Sequence, residues 1–540
     1  MLSWQRLPPF QPRISQIDME AALDCIRKPG YPSPPETKQL SHSINEAEKD
    51  IADYEQDILS LQELVLDLQK KRDGLKQYIN IRNSYLSPIR RLPTEVLARI
   101  FLHVSKELPP KTRIPLSPLI GLKLGQVSKL WRSVSRGTSH LWSHFSMTLS
   151  RDYNIDSTFE LLRIYLPLSN QLPLSFKITL DDGFTSFHGP KSASSIGTMR
   201  LLTDNCHRWG SVCLLFHSIS EWNERSLDFK RDLPLLKSLT LERFHEGACP
   251  VGVFAGASHL QEVVLRGFRE IPDHLPLEHV QRLQMTDAWI SVPMVDFIKS
   301  LTTRCSRLCS LELEFISASV DTENHEQEFC LGKLEELYLR SITWKQVKTL
   351  FSLLTLPILR KLTLHAISAR RENPQDIITI TSFTLRSNCL SELTLVDLQS
   401  EAGLHALLRS SSSVTRLEFR SSYSNPDVLP VLLQSLHILT SHSDGFCSLT
   451  SGRLSEVVLP NLEILDMTLQ IGKKEDFNES ALVDTITSRW MSHYDAKAKL
   501  RVRCLKSVRL ALMEGLPRES LERRLRPLKC SGMIVDIVGI

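Results

Sequence analysis

The sequence is poor in cysteine: eleven among 540 residues, scattered, with Cys305 and Cys309 the closest pair and no Cys-x-x-Cys anywhere. That density argues against a disulfide-stapled scaffold and for free thiols in a reducing compartment, the cytosol or the nucleus. Long apolar runs are missing too. No stretch approaches the roughly 18 apolar residues that a membrane span needs, and the opening "MLSWQRLPPFQPR" lacks the apolar core of a secretory signal. A charge surplus is also absent: 65 Lys and Arg against 61 Asp and Glu leave a formal +4, too mild for nucleic acid or an anionic membrane surface to be the main partner.

Catalytic signatures are lacking as well. There is no phosphate-cradling GxxxxGK[ST], no GxGxxG after a strand, no HExxH and no GxSxG. Seventeen histidines invite a search for metal ligands, but His245–Glu246 and His325–Glu326 have no further ligand at useful spacing. Cys305 and Cys309 flank Leu308 and read as packing or surface thiols. The acidic run "DTENHEQE" (321–328) and the serine-rich "RSSSS" and "RSSYSNPD" read as loops. No cofactor, no metal and no catalytic residue are expected.

A chain this long exceeds one compact core, and four regions divide it. Residues 1–39 hold seven prolines, in "LPPFQP" and "PGYPSPPE" among others. Proline fixes φ and removes backbone donors, so a disordered tail is expected, with room for a short helix within 14–26. Residues 40–86 change character. Leu40, Ile44, Ala47, Ile51, Tyr54, Ile58, Leu61, Val65 and Leu68 alternate in steps of four and three, and Leu75, Ile79 and Leu86 keep the register past Arg72. A seven-residue apolar repeat is the coiled-coil seam. The spacing predicts one long helix whose stripe either pairs with a second copy or docks along the chain's own domains. Its acidic start and basic end suit the helix dipole, and Gly74 is a weak point costing about 1 kcal/mol relative to alanine.

Residues 87–147 form the third region. Pro88 ends the long helix, and Pro93 opens another with Glu95 in its first turn. After a proline-rich connection, Val127, Leu130, Trp131 and Val134 are expected to share one helical face. "LPTEVLARIF" followed by "LGQVSKLWRSVSRGTSHLW" resembles the F-box, the short helical module that recruits substrates to cullin-based ubiquitin ligases. Two features depart from the family pattern. A longer link, "SKELPPKTRIPLSPLIG", follows the first helix, and Ser128 stands where a cysteine is common. Similar insertions and an upstream heptad helix occur in fungal F-box families. The resemblance implies docking to a Skp-type adaptor, and through it to a cullin and a RING subunit. Leu92, Pro93, Val96, Leu97, Ile100 and Phe101 supply the first part of that face, and Val127, Trp131, Leu141 and Trp142 complete it. About half of these are expected to be internal core, Phe101 and Trp131 foremost.

From about residue 160 to 540 the pattern LxxLxL recurs: "WGSVCL" (209–214), "LKSLTL" (236–241), "LQEVVL" (260–265), "VQRLQM" (280–285), "LCSLEL" (308–313), "LEELYL" (334–339), "LRKLTL" (359–364), "LSELTL" (390–395), "VTRLEF" (414–419), "LQSLHI" (433–438), "LEILDM" (462–467) and "LKSVRL" (505–510). Successive starts from Leu236 lie 24, 20, 28, 26, 25 and 31 residues apart, which agrees with leucine-rich repeats. One unit cannot cover its own apolar face, but stacked units make a continuous core. Helical connections such as "WKQVKTLFSLLTLP" and "VPMVDFIKSLTTRC" argue for a parallel sheet. "LPLSFKITL" (172–180) is expected to begin it, and the C-terminal strand, basic helix and last strand to cap it.

The fold expected is therefore α+β of solenoid type: a coiled-coil-like helix, a small three-helix F-box, and a curved leucine-rich-repeat-like α/β array. The function expected is non-catalytic substrate recognition for an SCF-type ubiquitin ligase. Thr240, Glu312, Tyr338, Thr363, Thr394 and Glu418, lying between the strand leucines, are the expected contacts to an unknown protein substrate. A homodimer through residues 40–86 is a further expectation. The rival reading is a repeat-based interaction scaffold acting outside any ligase.

Overall fold

The computed structural model describes residues 12–14, 16–27, 29–106, 120–149, 155–180, 192–216, 232–243, 251–290, 293–318, 328–341, 344–365, 382–384, 386–397, 401–421, 428–438, 457–470, 477–490, 493–495, 500–513 and 515–539. His245 and Glu246, His325 and Glu326, the acidic run except Glu328, and residues 422–427 lie outside these. The chain divides into two units, residues 1–97 and 98–540.

The first unit is dominated by one helix. After a short α1 (Met19–Arg27), α2 runs from Pro34 to Leu86, 53 residues. It starts six residues earlier than the heptad pattern, because its first turn is built for a start. Glu36 Oε2 accepts from the Ser33 backbone N–H at 2.7 Å, and Pro34 needs no intrahelical donor. It stops at Ser87, which adopts extended backbone ahead of Pro88. Residues 34–39, placed with the tail on their proline content, thus belong to the helix. Asp50 is the only buried residue on α2. Its carboxylate accepts from the backbone N–H of Ile14 at 3.0 Å and of Arg13 at 3.2 Å, and from the Arg13 guanidinium at 2.9 Å. Arg13 also reaches Asp53 at 2.7 Å and Glu46 at 3.7 Å. Burial pushes the Asp50 carboxyl up, but the two backbone donors and the guanidinium together hold it below its ordinary value. Residues 12–14 are therefore pinned along α2 by charge-assisted hydrogen bonds.

A 3₁₀ turn (Pro88–Arg91) leads to α3 (Thr94–Lys106), which crosses into the second unit. There α4 (Ile120–Val127), α5 (Lys129–Gly137) and β1 (His144–Leu149) follow. Next come α6 (Ile155–Leu168), β2 (Leu174–Leu180), α7 (Ser192–Asp204), β3 (Trp209–Phe216), β4 (Ser238–Arg243), β5 (Glu262–Arg266) and β6 (Arg282–Ile290). The chain continues through α8 (Met294–Arg304), β7 (Ser310–Ala318), β8 (Phe329–Cys330), β9 (Glu336–Arg340), α9 (Trp344–Leu353), β10 (Leu354–Thr355), β11 (Lys361–His365) and β12 (Glu392–Val396). It ends with α10 (Glu401–Ser410), β13 (Arg416–Ser421), α11 (Val428–Leu436), β14 (Ile464–Leu469), α12 (Glu479–Ser488), β15 (His493–Asp495), β16 (Leu500–Val502), β17 (Ser507–Leu512), α13 (Arg518–Cys530) and β18 (Ile534–Gly539).

Among the described residues, fourteen strands form a single sheet in the order β1-β2-β3-β4-β5-β6-β7-β9-β11-β12-β13-β14-β17-β18, and every pairing between neighbours is parallel. Parallel neighbours need crossover connections, and helices supply many of them. Alternation does the rest. In β4, Leu239 and Leu241 are buried while Thr240 is half-buried, and Leu236 packs beneath the turn with no exposure. The same triplet recurs as Leu260, Val263 and Leu265, as Leu334, Leu337 and Leu339, and as Leu359, Leu362 and Leu364. The backbone repeats with them. The Lys237 carbonyl accepts from both Gln261 and Glu262, that of Gln261 from Gln281 and Arg282, and that of Cys309 from Glu335 and Glu336. Two residues past the last apolar position the backbone turns left-handed: Gly267 (φ +73°), Asp287 (φ +52°), Ser341 (φ +50°) and Asp397 (φ +51°). Gly267 is required there, since a Cβ would stand 2.0 Å from the Arg243 carbonyl oxygen.

Two expectations need correction. The sheet begins at β1, one strand before residues 172–180; Phe145 and Met147 are its buried alternating pair, and this strand lacks the LxxLxL signature. "LQSLHI" (433–438) is no strand: its first four residues lie in α11, where Val428, Leu429, Leu432, Leu433 and Leu436 form one buried helical face. Helical spacing over the longer window prevails over a six-residue match.

Candidate functional site

Two places concentrate the residues singled out by sequence. The first is the helical region around α3, α4 and α5. Ser128 is the N-cap of α5: its Oγ accepts from the Trp131 backbone N–H at 3.1 Å. That cap separates Val127, the last residue of α4, from Leu130, Trp131 and Val134 of α5. The single face expected from these four is therefore split, because a serine hydroxyl offers the first turn of a new helix the donor-acceptor match it needs. The core of α4 and α5 is a three-residue clasp. Trp142 Nε1 donates to the Ser135 carbonyl at 2.7 Å, and Ser135 Oγ donates to the Gly121 carbonyl at 2.8 Å. Trp142 meets Tyr165 edge-on at 4.8 Å, and Phe101 tilts onto Trp131 at 4.9 Å.

The ten residues expected in this region fall into three groups. Leu97, Phe101, Leu141 and Trp142 are buried. Leu92 and Trp131 are half-buried, while Pro93, Val96, Ile100 and Val127 are exposed. On α3, Val96, Ile100 and Val104 follow one another at steps of four and remain 42, 36 and 44 % exposed. Val127 and Leu130 are exposed as well. An amphipathic helix with a buried Leu97–Phe101 side and an open Val96–Ile100–Val104 side has a surface for a partner. Sequence reasoning missed Gly121 and Ser135; nothing in the motif distinguishes a clasp residue from any other small residue.

The second place is the polar face of the sheet. Register puts all six expected contacts in one row, β4 to β13, at Thr240, Val264, Gln284, Glu312, Tyr338, Thr363, Thr394 and Glu418. The row continues to Asp466, Arg509 and Asp536. None of the six is exposed: Thr363 and Thr394 are buried and the others half-buried. Strands about 4.8 Å apart let long neighbours lie over short ones. Lys361 Nζ stands 5.7 Å over the Tyr338 ring, and burial followed by Glu336 pushes the Tyr338 hydroxyl above its ordinary value. Arg340 Nε pairs with Glu312 at 2.9 Å, Arg416 Nη2 with Asp466 at 2.6 Å, Arg266 with Glu242 at 3.2 Å and Arg282 with Glu262 at 3.0 Å. Arg420 closes on Glu418, and Thr394 Oγ1 donates to the same carboxylate at 3.3 Å. The face is polar and largely self-neutralised.

Residues 89–148 match the family model described as F-box-like. The chain carries an F-box-like region. It takes in α3, the Ser128 cap, the Gly121–Ser135–Trp142 clasp and most of β1. No curated protein matches the chain. Among the described residues no group of three His, Cys, Asp or Glu could hold a metal ion. Cys305 is buried, and burial pushes its thiol up to about 12. No helix among the described residues is long and apolar enough to cross a membrane.

Proposed function

We propose that the chain is a substrate-recognition subunit of an SCF-type cullin–RING ubiquitin ligase. What carries this reading is the F-box-like match at residues 89–148, joined to the open stripe of Val96, Ile100 and Val104 on α3. In this role the stripe, with Pro93, Val127 and Leu130, docks on a Skp-type adaptor, which links the chain to a cullin and its RING subunit. The fourteen-stranded sheet is a leucine-rich-repeat-like solenoid, and its polar row from Thr240 to Glu418 holds a target protein. The chain contributes no catalytic group. It raises the effective concentration of a target lysine at the charged conjugating enzyme. The cytosol or nucleus is its place of action, and α2 brings two copies together.

The test is co-purification of the full chain with a Skp-type adaptor, comparing the native protein with a Pro93→Ala, Ile100→Asp double variant. Placing a carboxylate in a desolvated apolar contact costs several kcal/mol, so a stoichiometric complex is expected for the native chain and none for the variant, with unchanged circular dichroism. A native chain that binds no adaptor overturns the ligase reading and leaves the free-standing interaction scaffold.

A further inference from the structure

The seam of α2 is exposed along most of its length. From Leu40 through Ile44, Ile51, Tyr54, Ile58, Leu61, Val65, Leu68, Leu75 and Ile79 to Leu86, its side chains are 45–67 % exposed; only Ala47 is half-buried. Residues 12–14, which fold back onto α2, contact the flanking stripe Glu46–Asp50–Asp53 beside the seam. We infer that α2 pairs with α2 of a second copy of this chain, and that the two helices run antiparallel.

Charge and register decide the direction. Up to Asp67 the helix carries Glu36, Glu46, Glu48, Asp50, Asp53, Glu55, Asp57, Glu63 and Asp67 against Lys38 and Lys49; beyond it stand Lys70, Lys71, Arg72, Lys76 and Arg82 against Asp73. A parallel pair lays acid on acid and base on base. Antiparallel pairing sets each acidic half on a basic one. In heptad terms Ile44, Ile51, Ile58, Val65, Arg72 and Ile79 are a positions, and Leu40, Ala47, Tyr54, Leu61, Leu68, Leu75 and Arg82 are d positions. A parallel dimer stacks Arg72 on Arg72 and Arg82 on Arg82 inside the seam, with Lys71 at g beside Lys76 at e.

An antiparallel dimer centred between Leu61 and Val65 removes these conflicts and joins every a to a d. Leu61 meets Val65 of the second copy, Ile58 meets Leu68, Tyr54 meets Arg72, Ile51 meets Leu75, Ala47 meets Ile79, Ile44 meets Arg82 and Leu40 meets Leu86. Arg72 then lies against an aromatic face, a favourable cation–π arrangement, and Arg82 extends its stem over Ile44 with its head in water. On the flanks Asp57 comes opposite Lys71 and Glu48 opposite Lys76. Lys71, which in the single chain turns to the exposed Asp67, exchanges it for the half-buried Asp57. At about 1.5 Å per residue, the two copies of Leu86 stand roughly 70 Å apart, so two F-box-like regions leave from opposite ends of the rod. Pairing of α2 does not require the ligase role.

Light scattering on the full chain gives the first test, with about twice 61.5 kDa expected; a mass of one chain overturns the dimer. Ile58→Asp is expected to return the mass to one chain, and a dimer that survives it overturns the seam as the contact. For direction, Ile51→Cys and Leu75→Cys chains are oxidised separately and mixed, and linked peptides are identified by mass, which separates them from links through native Cys25, Cys330, Cys389 or Cys530. A 51–75 link in the mixture alone is expected; 51–51 or 75–75 links overturn the antiparallel arrangement. A charge exchange that spares the seam gives the second readout. Lys71→Glu is expected to weaken dimerisation about tenfold, since two symmetry-related contacts turn repulsive. Adding Asp57→Lys is expected to restore it, and failure to restore overturns the register.

Discussion

Gly121→Ala separates tertiary packing from helix propensity, because the two predict opposite signs. Within α4, alanine is favoured over glycine by about 1 kcal/mol. A Cβ at 121, however, would stand 2.8, 2.9 and 3.0 Å from Cη2, Cζ2 and Cζ3 of Trp142, against about 3.5 Å for ordinary carbon contact. The indole has no room to retreat: it is 1 % exposed, its Nε1 is held by the Ser135 carbonyl, and it abuts Tyr165. If α4 backs away instead, the bond from Ser135 Oγ to the Gly121 carbonyl is strained. Overpacking costs about 1–3 kcal/mol; a Cβ this close to a ring that cannot move belongs in the upper half of that range, about 2–3 kcal/mol, which leaves a net loss of about 1–2 kcal/mol after the propensity gain. A chain with separable units does not unfold in one step, so the readout is hydrogen exchange of amides 120–142, expected to speed up about tenfold. Trp142→Phe removes the clashing ring, so the double variant should lose less than the sum of the two single losses. Slower exchange in Gly121→Ala, or strict additivity, would refute the clasp.

Three further outcomes follow from the same reasoning. A Cβ added at Gly74 would meet nothing within 4 Å, so Gly74→Ala should stabilise α2 by about 1 kcal/mol, seen as a later loss of helical circular dichroism on heating; an earlier loss refutes it. Arg489 is 1 % exposed, its guanidinium donating to the carbonyls of Leu436, Leu459 and Val458, and burial pulls it down to about 10. Arg489→Ala strands the carbonyls of Leu436 and Val458, while that of Leu459 keeps the Leu462 backbone N–H, and should cost about 2–5 kcal/mol, read locally from the hydrogen exchange of amides 479–490; a loss under about 1 kcal/mol would show that water replaces the guanidinium. Glu463 is held below its ordinary value by Lys506 and Arg503. A depressed carboxylate adds stability above its unfolded value near 4.3 and loses it as pH falls through the lower folded value. Glu463→Gln should therefore cost a few tenths of a kcal/mol at pH 7 and nothing well below pH 4; a cost that persists in acid points to packing instead.

Legibility in the sequence followed the range of the forces involved. Strands with an LxxLxL triplet were readable because Leu236, Leu239 and Leu241 each answer to a local rule, alternation plus a packed turn. So was α2, from its period and from Pro88. What failed did so where a longer-range or single-atom term prevailed. The helical face of Val428 to Leu436 overrode a short leucine match. One hydroxyl, Ser128 Oγ, divided α4 from α5, and Gly121 and Ser135 have meaning only beside Trp142. The burial of Thr363 and Thr394 depends on which residues neighbouring strands bring alongside, a matter of register between segments some 30 residues apart.

That register also constrains the proposed role of the polar face. With Arg340 on Glu312, Arg416 on Asp466, Arg266 on Glu242 and Arg282 on Glu262, an incoming charge must displace a pair before it can make one. Each exposed pair is worth at most about 1 kcal/mol, so displacement is cheap, but the net gain from exchanging one pair for another is close to nothing. In the proposed role, affinity for a target along this row would then have to come from shape and from the aromatic and aliphatic surface between the pairs, Tyr338 and the stems of Lys361 and Arg420 among them. In that role the ion pairs would act on selectivity: a target whose charges fail to match the alternation would leave desolvated groups unpaired, and that penalty exceeds what any one new ion pair returns.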